Sequence, residues 1–342
     1  MKLATIRNGR RDGQLVLVNK SLTSMCEAGP IAPTMQSLLD DWDRIAPQLH
    51  ERHAALECGA VPGARPFDLR DVMAPLPRAY QWCDGSAYLS HAELVRRARK
   101  AEMPAFLYHD PLMYQGTGDT LSGPRDPIVM ADAQWGIDLE AEVAVVTDDV
   151  PMGVDKAGAL GHIRLVTILN DVSLRNLIPH ELSKGFGFFH SKPSTAFAAV
   201  MVTPDELGDA WDGRKLSRPL ISRVNGRELG RPNTGHDLDF DFGDLIVHAA
   251  RTRALGAGTI IGSGTVSNRD LSVGSSCLAE RRMLETIEHG EPTTPYLQFG
   301  DTVEIEMFDA AGASIFGRIE QQVVRNVAGP AAPERQLADA MV

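Results

Sequence analysis

Residues 137–146 read Ile-Asp-Leu-Glu-Ala-Glu-Val-Ala-Val-Val. Successive side chains of a strand point to opposite faces, so this run predicts a strand with Asp138, Glu140 and Glu142 on one side and Ile137, Leu139, Ala141 and Val143 on the other. Three like charges along one side of an otherwise apolar strand repel one another strongly once water is partly excluded. Two arrangements relieve this. The strand is a solvent-facing edge that uses charge against aggregation, or a cation neutralises the acids. Carboxylate oxygens suit Mg²⁺, Mn²⁺ or Ca²⁺ better than copper or a structural zinc. A second strand-like run at 165–170 leads into Asn170-Asp171-Val172-Ser173. It puts Asp171 where a strand emerges, a position for a further ligand or for a turn or helix cap.

Around that segment the chain is β-rich. Short β-like runs at 163–169, 196–202, 220–224, 259–263 and 302–307 are separated by turn residues, Asn225-Gly226 among them. Residues 1–18 predict a hairpin with Leu3, Thr5, Leu15 and Leu17 on a shared face. Thr34 can cap a helix whose apolar positions Met35, Leu38, Leu39, Trp42 and Ile45 recur at three and four, with Pro47 expected to break or kink it. A further helix is predicted over 90–100 with Ser90 as its cap, and other helical text is confined to short segments and parts of 237–253. The stretch 59–77, rich in Pro, Gly and Ala, sets a domain boundary. The expected organisation is a small N-terminal domain of hairpin plus helix at 1–74, a catalytic body at 75–328 and a flexible tail at 329–342. Without regular strand–helix alternation the class is α+β.

The 342 residues are 43% hydrophobic and 23% charged, enough for a sizeable core. The formal charge is −11 with no basic run, which speaks against a nucleic-acid or anionic-membrane surface. No apolar stretch approaches the roughly 20 residues that span a bilayer. The opening residues lack an apolar core followed by a cleavage-like site, so a cytoplasmic setting is expected. Cys26, Cys58, Cys83 and Cys277 show no Cys-x-x-Cys spacing and are read as reduced thiols.

Taken in order, Tyr88-x-x-His91, Asp138-x-Glu140-x-Glu142, Asn170-Asp171-x-Ser173-x-Arg175, Lys192 with Thr195, and Gly262-x-Gly264-Thr265 resemble the fumarylacetoacetate hydrolase (FAH) family over about residues 75–324. The preceding residues are loosely similar to the small β-containing N-terminal domain of some members. The resemblance implies a mixed β-roll, a homodimer and one divalent cation, Mg²⁺ first with Mn²⁺ or Ca²⁺ as alternatives. It assigns Glu140, Glu142 and Asp171 as the metal ligands and leaves Asp138 as an acidic position that is not one. By the same resemblance His91 activates water, Lys192 polarises a substrate carbonyl or steadies enolate charge, and Tyr88, Thr195, Thr265 and Arg175 face the substrate.

Glu93 is the first candidate to orient the His91 ring. Two residues on a helix are about 200° apart, however, so Glu280, which follows Gly274-Ser275-Ser276-Cys277, is the second candidate. The implied reaction is hydrolysis of a C–C bond in a 1,3-dicarbonyl acid of the fumarylacetoacetate or acylpyruvate type, the departing carbanion being held as an enolate on the cation. An isomerase or decarboxylase acting on a small 2-oxo or 2-hydroxy-dienoic acid is the competing reading, and a ligand-binding relative without activity a third. Two departures bear on selectivity. Where many members carry Lys or Arg ahead of a small polar run, this chain has His109-Asp110-Pro111-Leu112-Met113-Tyr114-Gln115. Ile178 and Leu182 are apolar where fumarylacetoacetase itself has polar substrate contacts, so a different or less anionic oxo-acid is expected.

Overall fold

The computed structural model describes residues 1–98 and 102–327. The last residues of the helix predicted over 90–100 and the tail at 329–342 lie outside them. The acidic segment is not one strand. Ile137–Asp138 pairs with Ser173–Leu174 in a two-stranded ladder, Leu139 and Glu140 leave the ladder, and Ala141–Thr147 enters the main sheet. The break has a cause outside the segment. Both oxygens of Asp138 accept backbone N–H groups at the start of helix Leu278–His289, from Leu278 at 2.7 Å and Ala279 at 2.9 Å, where a negative charge meets the positive end of the helix dipole. Asp138, Glu140 and Glu142 are all buried, which excludes the solvent-facing edge.

The main sheet has eleven strands with Ala141–Thr147 and Ile163–Asn170 at its centre, antiparallel, Val145 opposite Val166 and Glu142 opposite Leu169. On one flank Ile260–Gly262 runs antiparallel to Ala141–Thr147 and parallel to Trp82–Gly85, which pairs with Met113–Gly116. On the other flank Met201–Val202 joins Ile163–Asn170 to Lys2–Ile6, the first strand of the N-terminal hairpin. The hairpin therefore continues the sheet of the body. A second, five-stranded sheet contains Leu220–Val224 and Arg227–Gly230, joined by Asn225-Gly226 with φ of 52° and 73°, the left-handed pair that a tight hairpin needs. Mixed sheets with a handful of helices make this an α+β fold, as the patterning predicted.

Alternation along the hairpin sorts its residues between two cores. Leu3, Leu15 and Leu17 pack with Leu38, Leu39, Ile45 and Leu49 on one side, and Ala4, Ile6, Val16 and Val18 join the larger core on the other. The strand predicted over 196–202 splits into Ala196–Phe197 and Met201–Val202. Thr34 caps Met35–Leu39 reciprocally with Ser37, but the helical stretch is broken at Asp40 and Asp41, and Trp42–Glu57 runs through Pro47. One proline in the second turn removes a single backbone hydrogen bond there, whereas the aspartates end one helix and begin the next.

Ser90 is likewise not a cap. It lies inside helix Leu89–Ala98 and its hydroxyl donates to Ser267 O, while the Leu89 amide is received by the distant carboxylate of Asp239 at 2.9 Å. All four cysteines are free. Among the described residues no helix is long and apolar enough to cross a membrane.

Candidate active site

A cavity of about 390 Å³ opens above the meeting point of the central strands, and its wall includes Asp84, His91, Tyr114, Glu140, Arg175, Lys192 and Thr265. Three acids converge at its base. Asp84 comes from Trp82–Gly85, Glu142 from Ala141–Thr147, and Asp171 directly follows Ile163–Asn170. One oxygen of each lies within 4.8 Å of the others, and all three residues are buried. Burial, reinforced by the facing Asp171, pushes Asp84 up to about 8. Burial also lifts Glu142 well above the usual carboxylate range, with Asp84 and Asp171 adding to the effect. Among the described residues the carboxylate oxygens of Glu142 meet no N–H or hydroxyl donor and face the carboxyl of Asp84. Buried polar atoms left this way are costly, and three converging hard oxygens fit a divalent cation.

Glycine makes room for Asp84. A Cβ on Gly262 would fall 2.5 Å from Asp84 Oδ1, and the N–H of Gly264 donates to that same oxygen at 3.1 Å. The Gly262-Ser263-Gly264 turn thus seats a carboxylate and carries Thr265 to the cavity wall.

The other acids are tied down by donors. Asp171 accepts from Tyr114 Oη at 2.6 Å, from Thr195 Oγ1 at 2.8 Å and from Lys192 Nζ at 2.5 Å. Lys192 also donates to Glu140 Oε2 at 2.5 Å. Arg175 spans Glu140 at 2.6 Å and Asp138 at 2.8 Å. Burial alone would push the Lys192 ammonium down, but Asp171 and Glu140 reverse this and hold it above its ordinary value. Glu140 is the mirror case, with Arg175 and Lys192 overcoming its burial and holding it low.

His91 stands on the wall with Nδ1 3.8 Å from Glu280 Oε1, and that oxygen accepts from Ser267 Oγ at 2.5 Å. This puts histidine, lysine, arginine and four acids around one recess.

Residues 81–324 match the family described as fumarylacetoacetate (FAA) hydrolase C-terminal, and residues 1–78 match that described as fumarylacetoacetase N-terminal domain 2. The chain belongs to the FAH family. It is 28% identical over 217 residues, 63% of its own length, to a 2,4-didehydro-3-deoxy-L-rhamnonate hydrolase of Sphingomonas sp.. It is also 28% identical over 211 residues, 60% of its length, to an oxaloacetate tautomerase of Bacillus subtilis. The chain matches 65% of the length of each of these curated relatives. The structure of maleylpyruvate hydrolase from Sphingobium sp. SYK-6 in complex with manganese(II) ion and pyruvate superposes with a TM-score of 0.64 at 18% identity, covering 95% of this chain and all of that one, a likeness of fold.

Within the FAH frame the expected residues sort into those that share the recess and those that do not. Glu142 and Asp171 lie in the converging trio. Its third member is Asp84, in place of the expected Glu140, which sits alongside with both oxygens engaged by Arg175 and Lys192. Lys192, Arg175, Thr265 and His91 line the cavity. Glu93 does not approach His91. It pairs with Arg269 at 3.5 Å, and Glu280 occupies the partner position. Tyr88 does not face a substrate, because its ring is part of the core and its hydroxyl donates to Thr234 O at 2.7 Å. Thr195 is buried and spends its hydroxyl on Asp171.

Sequence reasoning missed Asp84 and Tyr114. Only two apolar residues, Trp82 and Cys83, precede Asp84, so no strand-length run marked it as one did Asp171. Tyr114 lay in the segment read only for its lack of cations.

Proposed function

We propose that this protein is a divalent-metal-dependent hydrolase that cleaves a C–C bond in a 1,3-dicarbonyl acid of the fumarylacetoacetate or acylpyruvate type. The observation that carries the reading is one cavity with three converging buried carboxylates at its floor and His91, backed by Glu280, on its wall. Asp84, Glu142 and Asp171 would hold the cation, with Glu140 beside them holding Arg175 and Lys192 in place. Mg²⁺ comes first and Mn²⁺ or Ca²⁺ are alternatives. When bound, the ion polarises a substrate oxygen and offsets enolate charge.

The chain's own residues supply the rest. His91 takes a proton from water, whose oxygen bonds to a substrate carbonyl carbon. The C–C bond then breaks, its electron pair passing to the departing carbon and its adjoining carbonyl as an enolate. His91 returns the proton to that carbon, leaving a carboxylic acid and an oxo acid, which is a 2-oxo acid from an acylpyruvate and a 3-oxo acid from fumarylacetoacetate. Glu280 steadies the imidazolium, as a carboxylate does beside other catalytic histidines. Lys192, kept cationic by Glu140 and Asp171, faces the developing oxyanion charge, and Thr265 and Arg175 receive the substrate carboxylate. A homodimer in the cytoplasm completes the reading, the first part taken from the family.

A second reading is an isomerase, tautomerase or decarboxylase, in which enolate chemistry proceeds without consuming water. Two observations favour it: the Bacillus relative is a tautomerase at the same identity, and Glu280 Oε1 is already engaged by Ser267. Incubating the metal-loaded protein with acylpyruvates, fumarylacetoacetate, oxaloacetate and 2-hydroxy-dienoates, followed by product mass spectrometry, separates them. Two fragments that together carry one added water support hydrolysis. A product of unchanged mass, or loss of CO₂, overturns it in favour of the second.

A further inference from the structure

The wall above the acidic floor changes character. Leu112, Met113, Ile178, Leu182 and Phe188 line it, and Leu112 and Leu182 are half exposed at its rim, at 51% and 50%. Among the described residues that line the cavity, the Lys and Arg side chains are Arg175 and Lys192, both at its acidic end and each held between two carboxylates. His248, Arg251 and Arg253 line a separate recess that shares Met113 and Tyr114 as its wall, where His248 and Arg251 face Asp110.

The charge balance points the same way. At the floor the acids outnumber the cations, Asp84, Asp138, Glu140, Glu142 and Asp171 standing against Arg175 and Lys192. A second substrate carboxylate at the outer end would lose water against Leu112, Ile178, Leu182 and Phe188 with no Lys or Arg of the described cavity lining beside it, whereas an alkyl group there covers exposed leucine.

Resting on the hydrolase reading of this same cavity, we propose that the substrate is a monoanionic 1,3-dicarbonyl acid with an uncharged, apolar acyl tail, selected by Leu112, Ile178, Leu182 and Phe188. Dicarboxylic analogues are disfavoured at the outer end of the site. Burying one methylene corresponds to about fourfold in kcat/KM, so the series is steep enough to read.

The test uses the purified protein loaded with Mn²⁺ and acylpyruvates bearing methyl, ethyl and propyl tails, with succinylpyruvate as the carboxylate-ended counterpart of the propyl compound. The expected result is a rise of about fourfold per methylene and a value at least about tenfold lower for succinylpyruvate. Leu182→Arg, at a rim position where a long side chain reaches solvent, should raise the succinyl compound and lower the propyl one. A flat series, or preference for succinylpyruvate by the unmodified protein, overturns the proposal. Calorimetric binding of uncleaved 2-oxohexanoate against 2-oxoadipate keeps the two readings apart. Preference for 2-oxohexanoate without cleavage of any acylpyruvate overturns the hydrolase reading and supports tail selection. The reverse preference, or no binding of either, overturns tail selection.

Discussion

His91 Nδ1 lies 3.8 Å from Glu280 Oε1, while Glu93, two positions along the same helix as His91, reaches Arg269 at 3.5 Å. Helical rotation turns Glu93 away, and helix Leu278–His289, packed against Leu89–Ala98, delivers the carboxylate instead. A pairing that looked local is therefore made by two separate helices.

Replacing His91 with Ala should lower kcat by about 10²–10⁴, the usual scale for loss of a general base, with metal binding retained. Glu280→Gln should give a smaller loss in kcat with KM little changed, and Glu93→Gln should stay within about twofold of the unmodified protein. Steady-state kinetics on a cleaved acylpyruvate reads all three. A Glu93→Gln defect as deep as that of His91→Ala would return the orienting role to Glu93.

Asp84→Asn should weaken Mn²⁺ binding as severely as Glu142→Gln, because both remove an oxygen from the trio that lies within 4.8 Å. Tyr114→Phe, which strips a hydrogen bond from Asp171, should weaken it by about tenfold, within the range for partners of metal ligands. Calorimetric titration of metal into each variant measures this. Unchanged affinity in Asp84→Asn would restrict the site to the acids named from sequence.

Glu181 links acid stability to the loop that carries Lys192. Burial alone would raise its carboxyl, but hydrogen bonds from Phe189 N, Ser191 Oγ, His190 N and Ser191 N pull it down to about 2. A folded-state value below the unfolded 4.5 means that this stabilisation is complete above about pH 4.5 and is lost as pH falls toward 2. Glu181→Gln should therefore lower stability by about 1–3 kcal/mol at neutral pH and flatten its dependence over that acid range. Thermal unfolding at a series of pH values checks both, and parallel curves for the variant and the unmodified protein would remove Glu181 from the account.

Gly262→Ala would place a methyl 2.4 Å from the Trp82 ring and 2.5 Å from Asp84 Oδ1, with Ile260–Gly262 fixed in the sheet on both sides. Overpacking of this kind costs about 1–3 kcal/mol. The expected outcome is a folded protein with a lower unfolding midpoint and weakened Mn²⁺ affinity. Retained affinity would show that Asp84 can shift without losing its place in the trio.

Features coded by neighbours in sequence were legible. The hairpin at 1–18, the Thr34 cap and the Asn225-Gly226 turn are local rules acting on local residues. Features imposed from far along the chain were not. The alternation of 137–146 runs unbroken through Leu139 and Glu140, and only the helix start at Leu278 explains why Asp138 turns aside. The Leu89 amide is received by Asp239, which no pattern near Ser90 announces. Glu142 and Asp171 stood in recognisable strand contexts. Asp84 sits alone among Trp82, Cys83 and Gly85, and acquires meaning once parallel pairing with Ile260–Gly262 lays it beside them.

The pairing of Lys2–Ile6 with Met201–Val202 makes the leading hairpin a keel rather than an appendage. Severing the chain near residue 78 would strip cover from Leu165, Leu169, Phe197 and Met201 and bare a strand rim ready to zip onto any passing copy. The amputated body is expected to precipitate, although among the described residues the severed segment lines no part of the recess.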